Sequence, residues 1–533
     1  MAKMILYGDE ARKKIQDGVD KLARAVRTTL GPRGKVVIIH KGTHVFTLDG
    51  VTVAKDIFLS DPFENVGSEL VKEVAWKTDK EAGDGTTTAT ILCQTLLREG
   101  MKAVAAGIDR NVMKKGMEEA TRAVVAHIKK IAKPIRTKKQ IADVATISSR
   151  DPKIGEVVSE IMEEAGRDCV IAVEESHIPG LFKEIVQGLK FGRGWITPYM
   201  ADQRTGEAVL EKPYILVTTQ NLKENQEIVR LLEVIAHTDK KSVLVICDQL
   251  AGEALPTFVL NKILGVVNSV VVTAPGFGDN KNDQLGDIAA ITGGLLIGEE
   301  TATRVADIDL EQLGRADRVV VTKESTIIIG GAGSKKDIQN RIASIETAVE
   351  KEISDYKKEQ LRERLGKLKG GVAVIRVGAQ SEAESNEQRY RIEDAVRSTR
   401  SAVDEVIVPG GGIALLSAAK GLETQIREEK DISYRMGLQV VHDAIRDPAA
   451  QIIENTGVKP DVILNEISKS KLPNFGYNAA TGEYGDLLKL GVIDPAKVVR
   501  VALENAVSII GLFLITEAIV EEEPEKDKTP KTE

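Results

Sequence analysis

Nine residues carry the densest chemistry of the chain: Ala82-Gly83-Asp84-Gly85-Thr86-Thr87-Thr88-Ala89-Thr90. Glycines on both sides of Asp84 let the backbone turn sharply and approach a ligand. The threonines open an apolar-periodic segment with free backbone N–H groups, where anions bind well. A carboxylate there repels phosphate unless a divalent cation lies between them, so Asp84 points to a phosphate and Mg²⁺ cradle. An ordinary turn followed by a threonine cap would carry the same residues.

Neither Gly-x-x-x-x-Gly-Lys-Ser/Thr nor Gly-x-Gly-x-x-Gly occurs, so a nucleotide site has to be built from other pieces. Those available are Thr29-Leu30-Gly31-Pro32, the Asp84 loop, Gly410 to Gly412 and Asn478-Ala479-Ala480, drawn from both ends of the chain. The histidines are scattered. Only His40 and His44 have a helical metal-binding interval, and they stand beside an expected strand, which argues against a metal site. No Gly-x-Ser-x-Gly nucleophile elbow is present.

The elements that must position these residues fill 533 positions, more than one hydrophobic core usually supports. Basic and acidic residues, 73 and 80 for a net charge of −7, are mixed along the chain, which argues against nucleic-acid binding as its main business. Cys93, Cys169 and Cys247 are unpaired in spacing and fit a reducing cytoplasm. The start resembles neither a signal nor a transit peptide, and the apolar run between Glu504 and Glu517 is too short to span a bilayer.

Ala11, Ile15, Val19, Leu22, Val26 and Leu30 recur at steps of three and four behind Asp9, predicting an N-capped helix that stops at Gly31-Pro32. Val36 to Ile39 reads as a strand, and Leu48-Asp49-Gly50-Val51 as a tight hairpin turn. Helical patterns continue to about Ile131. From Gln187 to Gly371, β-branched runs such as Val243 to Ile246 alternate with helices, predicting a separate α/β domain. Ile338, Ile342, Ile345, Val349, Ile353 and Tyr356, then Leu361, Leu365 and Leu368, predict a helical hairpin closed by Gly370-Gly371. Gly188 and Gly370-Gly371 are candidate hinges as well as candidate turns. Two segments, Ile228 to Ala236 and Glu253 to Leu264, carry more apolar residues than one packed face needs; periodicity alone favours their burial in a larger core.

Taken together, these blocks resemble the group I chaperonins, the GroEL-type heat-shock proteins, from about Ala2 to Val520. The most specific are Thr29 to Pro32, Ala82 to Thr90, Ala274-Pro275-Gly276-Phe277-Gly278-Asp279, Gly370-Gly371-Val372-Ala373-Val374-Ile375, Glu393-Asp394-Ala395 and Tyr477-Asn478-Ala479-Ala480-Thr481. The resemblance implies a multidomain α+β chaperonin fold. A mainly helical equatorial ATPase domain would comprise 1–130 and 405–520, a small hinge domain 131–186 and 372–404, and an inserted α/β apical domain 187–371. A disordered charged tail would follow at 521–533. It further implies a homo-oligomeric seven-membered ring in the cytoplasm, a stress-response role, a co-chaperonin lid, and non-native proteins as partners.

By matching position, the resemblance assigns Thr29, Leu30, Gly31, Pro32 and Asp84, Gly85, Thr86, Thr87, Thr88 to phosphates and Mg²⁺, with Asp84 the metal ligand. Gly411, Asn478, Ala479, Ala480 and Asp494 would hold the nucleoside of ATP. Asp394 would be the catalytic carboxylate, assisted by Asp49. Trp195, Tyr199, Met200, Val229, Leu232, Leu255, Val259 and Leu260 would bind client and lid, which reverses the burial expected for the two apolar segments.

Three positions depart from the family pattern. Leu48 stands where a lysine is usual. Ala450 and Lys459 replace an Arg and a Glu that bridge two rings, which argues against a back-to-back double ring. A Glu/Lys/Thr end replaces a Gly/Met-rich tail. The resulting expectation is an ATP-driven folding chaperonin. A holdase or scaffold of the same fold with little ATP cycling is the alternative, and a nucleotide-dependent small-molecule enzyme is the more distant one.

Overall fold

The computed structural model describes residues 3–522 apart from 42, 168, 177, 277, 299, 300, 302 and 353. Phe277, Ile353 and the tail from 523 onward therefore lie outside the described residues. The chain divides into two compact units, one formed by Met1–Glu160, His177–Pro179 and Gly378–Glu533, the other by Ile161–Ser176 and Gly180–Val377.

The first unit is mainly helical, and its core joins the two chain ends. Ile15, Val19 and Leu22 of the helix Gly8–Arg27 pack with Leu92 and Leu96 of Thr86–Ala105. Met113 and Met117 of Arg110–Ile131, Leu438 of Ile432–Ala444, and Leu503 and Ile510 of Ala496–Leu514 complete the cluster. Thr86–Ala105 is buried on nearly every side, as expected of a helix apolar all round its axis. Each fully buried Leu or Ile side chain contributes about 1.5–3 kcal/mol. Strand Lys3–Tyr7 pairs antiparallel with Ala518–Glu522, and Ile407–Pro409 with Ile493–Pro495, so both sheets also join distant stretches of chain.

Four local expectations are corrected. Tyr7, not Asp9, occupies the N-cap of the first helix; Asp9 instead accepts Arg12 Nη2 at 2.6 Å in the first turn. The helix ends at Arg27, before Gly31-Pro32. The hairpin lies earlier than Asp49-Gly50, between Val37–Lys41 and Thr43–Thr47, where His40 and His44 face each other as cross-strand partners. Asp49 caps the helix Gly50–Lys55, because its short carboxylate reaches the free amides of Val51 and Thr52. Glu521 and Glu522 belong to a paired strand, so the tail assigned from 521 begins inside regular structure.

The second unit is built on an eight-stranded mixed sheet. Its parallel half runs Asn268–Thr273, Ser242–Cys247, Tyr214–Thr218. Its antiparallel half continues through Gly314–Val321 and Thr326–Gly331 to Gly188–Phe191. Val243 to Cys247 is continuously buried because helices cover the sheet. The helical hairpin is present as Lys335–Lys351 and Asp355–Gly370, with Gly371 in a positive-φ conformation at its end. It is tied to Asp279–Thr292 by a buried charge cluster. Arg364 Nε donates to Asp287 at 2.8 Å and Arg341 Nε to the same carboxylate at 2.7 Å.

Candidate nucleotide site

The Asp84 loop links two helices. Gly83, at φ +71°, closes the helix Pro62–Ala82, and Gly85, at φ +85°, occupies the N-cap of Thr86–Ala105. A Cβ on Gly85 would stand 2.6 Å from Val498 Cγ1, so the position is closed to larger residues. Gly85 offers no side chain to cap the helix, which leaves the first-turn amides and the positive end of a twenty-residue helix available. The sequence predicts an anion site at this helix start, and these free amides are what such a site would use.

Asp84 lies beside those amides. Its Oδ1 accepts the Gly85 N–H at 2.5 Å and its Oδ2 the Ser148 hydroxyl at 2.9 Å. Burial pushes its carboxyl above the usual range, opposed by the Gly85 amide, the Ser148 and Ser398 hydroxyls and Arg397. A cavity of about 490 Å³ opens over it, lined by Asp49, Thr86, Thr87 and Asp394 together with Leu48, Arg150, Glu387 and Arg391. The chain thus brings Asp49, Asp84, Thr86, Thr87 and Asp394 into one cavity within the first unit.

Asp394 projects from the helix Glu382–Glu405. Burial, and then the charges of Asp49 and Asp84, hold its carboxyl well above the ordinary value, against the pull of Arg397. A carboxylate tuned upward in this way suits general-base work near neutral pH. Asp49 differs: its two oxygens accept Val51 N–H, Thr52 N–H and the Thr52 hydroxyl at 2.6 Å, so its carboxyl group is held in place as a helix cap.

The remaining assigned residues do not line that cavity. Thr29 is buried with its hydroxyl donating to Val26 O, and Asn455 ties down the carbonyls of Arg27 and Leu30. Gly31 turns the chain at φ +82° against Ile452. Gly85 and Thr88 belong to the loop and helix start without facing the cavity. Gly411, Asn478, Ala479, Ala480 and Asp494 form a second cluster, in which Asn478 Oδ1 accepts Ala480 N–H at 3.0 Å. A Cβ on Gly410 would lie 3.0 Å from Asp494 Oδ1. Arg33 Nη2 joins Ala480 O at 3.2 Å, linking this cluster to the Thr29–Pro32 segment. Burial, and then Asp84, raises Asp494 to about 7.

Among the described residues no three His, Cys, Asp or Glu side chains form a ready-made metal cage. Mg²⁺ rarely needs one, since one or two carboxylates with phosphate and water oxygens complete its shell, so Asp84 over an open helix N-terminus fits Mg·ATP. Ser148, Arg150, Glu387 and Arg391 were not singled out from sequence. Ser148 and Arg150 reach the site through the folded position of helix Lys138–Ser149, which no local pattern announces.

A model of the TCP-1/cpn60 chaperonin family matches residues 22–524. This chain belongs to that family. Its fold is that of the chaperonin gp146 from bacteriophage EL 2 of Pseudomonas aeruginosa, solved in two crystal forms in the presence of ATP-BeFx. Form II gives a TM-score of 0.66 at 22% identity, covering 98% of this chain and 100% of that one; form I gives 0.64 at 21%, covering 98% and 99%. The multidomain α+β chaperonin fold expected from the sequence is therefore present.

In the second unit of this chaperonin, the two apolar helices are Asn225–Ala236 and Ala254–Ile263, tied together where Thr257 Oγ1 donates to Asn225 Oδ1 at 2.6 Å. Tyr199 (62% exposed), Val229 and Leu260 (56%) are open to solvent, whereas Trp195, Leu255 and Val259 are partly buried against the core. Met200 and Leu232 depart from the expected surface. Met200, at the end of the short turn Pro198–Met200, is fully buried under Val271; Leu232 faces the core because the helix Asn225–Ala236 must give one apolar stripe to the sheet. Ile263 and Leu264, part of the apolar pattern of Glu253 to Leu264 but outside the client-binding residues that the resemblance assigns, extend the exposed patch. Among the described residues no helix is long and apolar enough to cross a membrane.

Proposed function

We propose that this chaperonin is an ATP-driven protein-folding machine of the group I type, cycling in the cytoplasm. The observation that carries this reading is the convergence of Asp84, Asp49 and Asp394 on one cavity at an uncapped helix N-terminus, in a chain of chaperonin fold. When bound, Mg·ATP supplies the phosphoryl group to be transferred to water. Asp84 would hold Mg²⁺, the amides of Thr86 and Thr87 the phosphates, and Asp394 would orient and deprotonate the attacking water. Gly411, Asn478 to Ala480 and Asp494 would hold the nucleoside. That gp146 was solved with ATP-BeFx supports the nucleotide assignment.

Client capture falls to the exposed apolar residues Tyr199, Val229 and Leu260, with Trp195, Leu255 and Val259 behind them. Hydrophobic contact is non-directional and needs no sequence match, which suits non-native proteins as partners. The equatorial, intermediate and apical divisions, the heptameric ring, the co-chaperonin lid and the stress-response role belong to this same reading. A holdase is favoured by one observation: Leu48, apolar, lines the cavity where the resemblance implies a lysine.

The test is the yield of a chemically denatured, aggregation-prone client with Mg·ATP and a co-chaperonin, beside a reaction without ATP. An ATP-dependent gain supports the cycle. Suppressed aggregation without ATP-dependent release supports the holdase.

A further inference from the structure

Two arginines line the cavity over Asp84, and they are not equivalent. Arg391 is neutralised on its own helix, its Nε 2.5 Å from Glu387 Oε1. Arg150 makes no ion pair among the described residues. Its Nη2 donates to the carbonyl of Thr29 at 2.8 Å, while its Nη1 is shut away from water with no acceptor. A buried guanidinium N–H without a partner is costly, and native structures keep such a cost where a ligand relieves it.

The backbone makes the same point. Arg150 follows the helix Lys138–Ser149 in a left-handed conformation, φ +57°, where glycine or asparagine would be less strained. An arginine held there has its side chain aimed by the turn. Asp84, Asp49 and Glu387 are the acids acting on it, and Arg391 is the like charge. Asp49 and Asp84 also act on Asp394, so Arg150 belongs to the charge cluster around Asp394.

We propose that Arg150 is the cation that binds the terminal phosphate of the nucleotide, resting on the nucleotide-site reading above. With the nucleotide bound, the side chains that cover Nη1 give way and it donates to a phosphate oxygen, while Nη2 keeps its hold on Thr29. The planar fork of the guanidinium suits this double task, which an ammonium group performs less well. Because Arg150 joins that phosphate to the Thr29–Pro32 segment, loss of the phosphate alters how this segment is held. The site thereby distinguishes nucleoside triphosphate from shorter nucleotides by a contact that only the last phosphate makes.

The experiment is calorimetric titration of the full chain with ATP, ADP and AMP in the presence of Mg²⁺, for the wild type, Arg150→Gln and Arg150→Lys. Arg150→Gln is expected to weaken ATP about ten-fold or more while leaving AMP within about two-fold, and Arg150→Lys to recover part of the ATP affinity. Unchanged ATP affinity in Arg150→Gln would overturn the proposal. So would an equal loss for ATP, ADP and AMP, which would make Arg150 a structural anchor for Thr29. A wild type that binds none of the three fails the nucleotide-site reading itself, before any variant is compared. If Arg150→Gln does not fold, wild-type protein is labelled with an arginine-directed dicarbonyl and mapped by mass spectrometry. ATP should shield Arg150 more than AMP does, and equal labelling would refute the contact.

Discussion

Arg397 Nη2 donates to Asp394 Oδ1 at 2.8 Å, one helical turn away, and the same guanidinium reaches Asp79 at 3.6 Å. Asp394 is thus held between an opposing pair of influences. Burial and two neighbouring carboxylates raise its proton affinity, and Arg397 lowers it. Arg397→Met removes only the lowering influence, so the acid limb of the ATPase pH profile should move to higher pH. Steady-state hydrolysis measured across pH checks this; an acid limb left in place would separate Asp394 from proton abstraction. Asp394→Asn should reduce turnover by roughly 10²–10⁴ with nucleotide affinity retained, the usual scale for losing a general base.

Asp494 gives a prediction about stability. Its folded carboxyl titrates at about 7 against an ordinary value of 3.8, so between those limits the folded chain holds a proton that the unfolded chain has released. Stability therefore falls as pH rises through this window, and the loss is complete above about 7. Asp494→Asn removes this contribution. Urea midpoints from pH 5 to 8 should decline less steeply in the variant than in the wild type. Some decline should persist, because Asp84 and Asp394 are shifted in the same direction.

The sequence made the helices and the Asp84 loop legible for different reasons. Ile15, Val19 and Leu22 announce a buried face by spacing alone, and the loop is contiguous, so Gly83 to Thr88 arrive together. Asp49-Gly50 reads as a hairpin turn in the sequence and is a helix start in the structure, because the same pair suits both and only the free amides of Val51 and Thr52 decide between them. Ser148 and Arg150 were invisible because their function is tertiary, fixed by where helix Lys138–Ser149 ends. Asp394 has no local motif and was reached through the family resemblance. The surface assignment of Met200 and Leu232 rests on the family resemblance alone, because no local pattern shows which of these side chains turns toward the sheet.

The loop glycines offer a matched pair of substitutions. Gly85 and Gly107 have nearly the same backbone angle, φ +85° and +83°, but a Cβ on Gly85 meets Val498 whereas nothing lies within 4 Å of one on Gly107. Gly107→Ala should cost about 1–2 kcal/mol from the left-handed conformation alone. Gly85→Ala adds about 1–3 kcal/mol of overpacking and should also weaken nucleotide binding. Urea unfolding separates the two costs. Equal destabilisation would mean that the Val498 contact relaxes without penalty.

The apolar patch of the second unit can be separated from its core by two neighbouring kinds of leucine and methionine site. Leu260 is 56% exposed, so Leu260→Ser should change stability by no more than about 0.5 kcal/mol while reducing suppression of client aggregation. Met200 is fully buried with its sulfur at the Val271 amide, so Met200→Ala should cost about 2–5 kcal/mol. Any loss of client capture in Met200→Ala should track its lost stability and recover at lower temperature, where the unit refolds. Capture that stays intact in Leu260→Ser, and again when Tyr199→Ser and Val229→Ser are added, would remove the client surface from these helices. Light scattering of a denatured client, run beside thermal melts of each variant, distinguishes the outcomes.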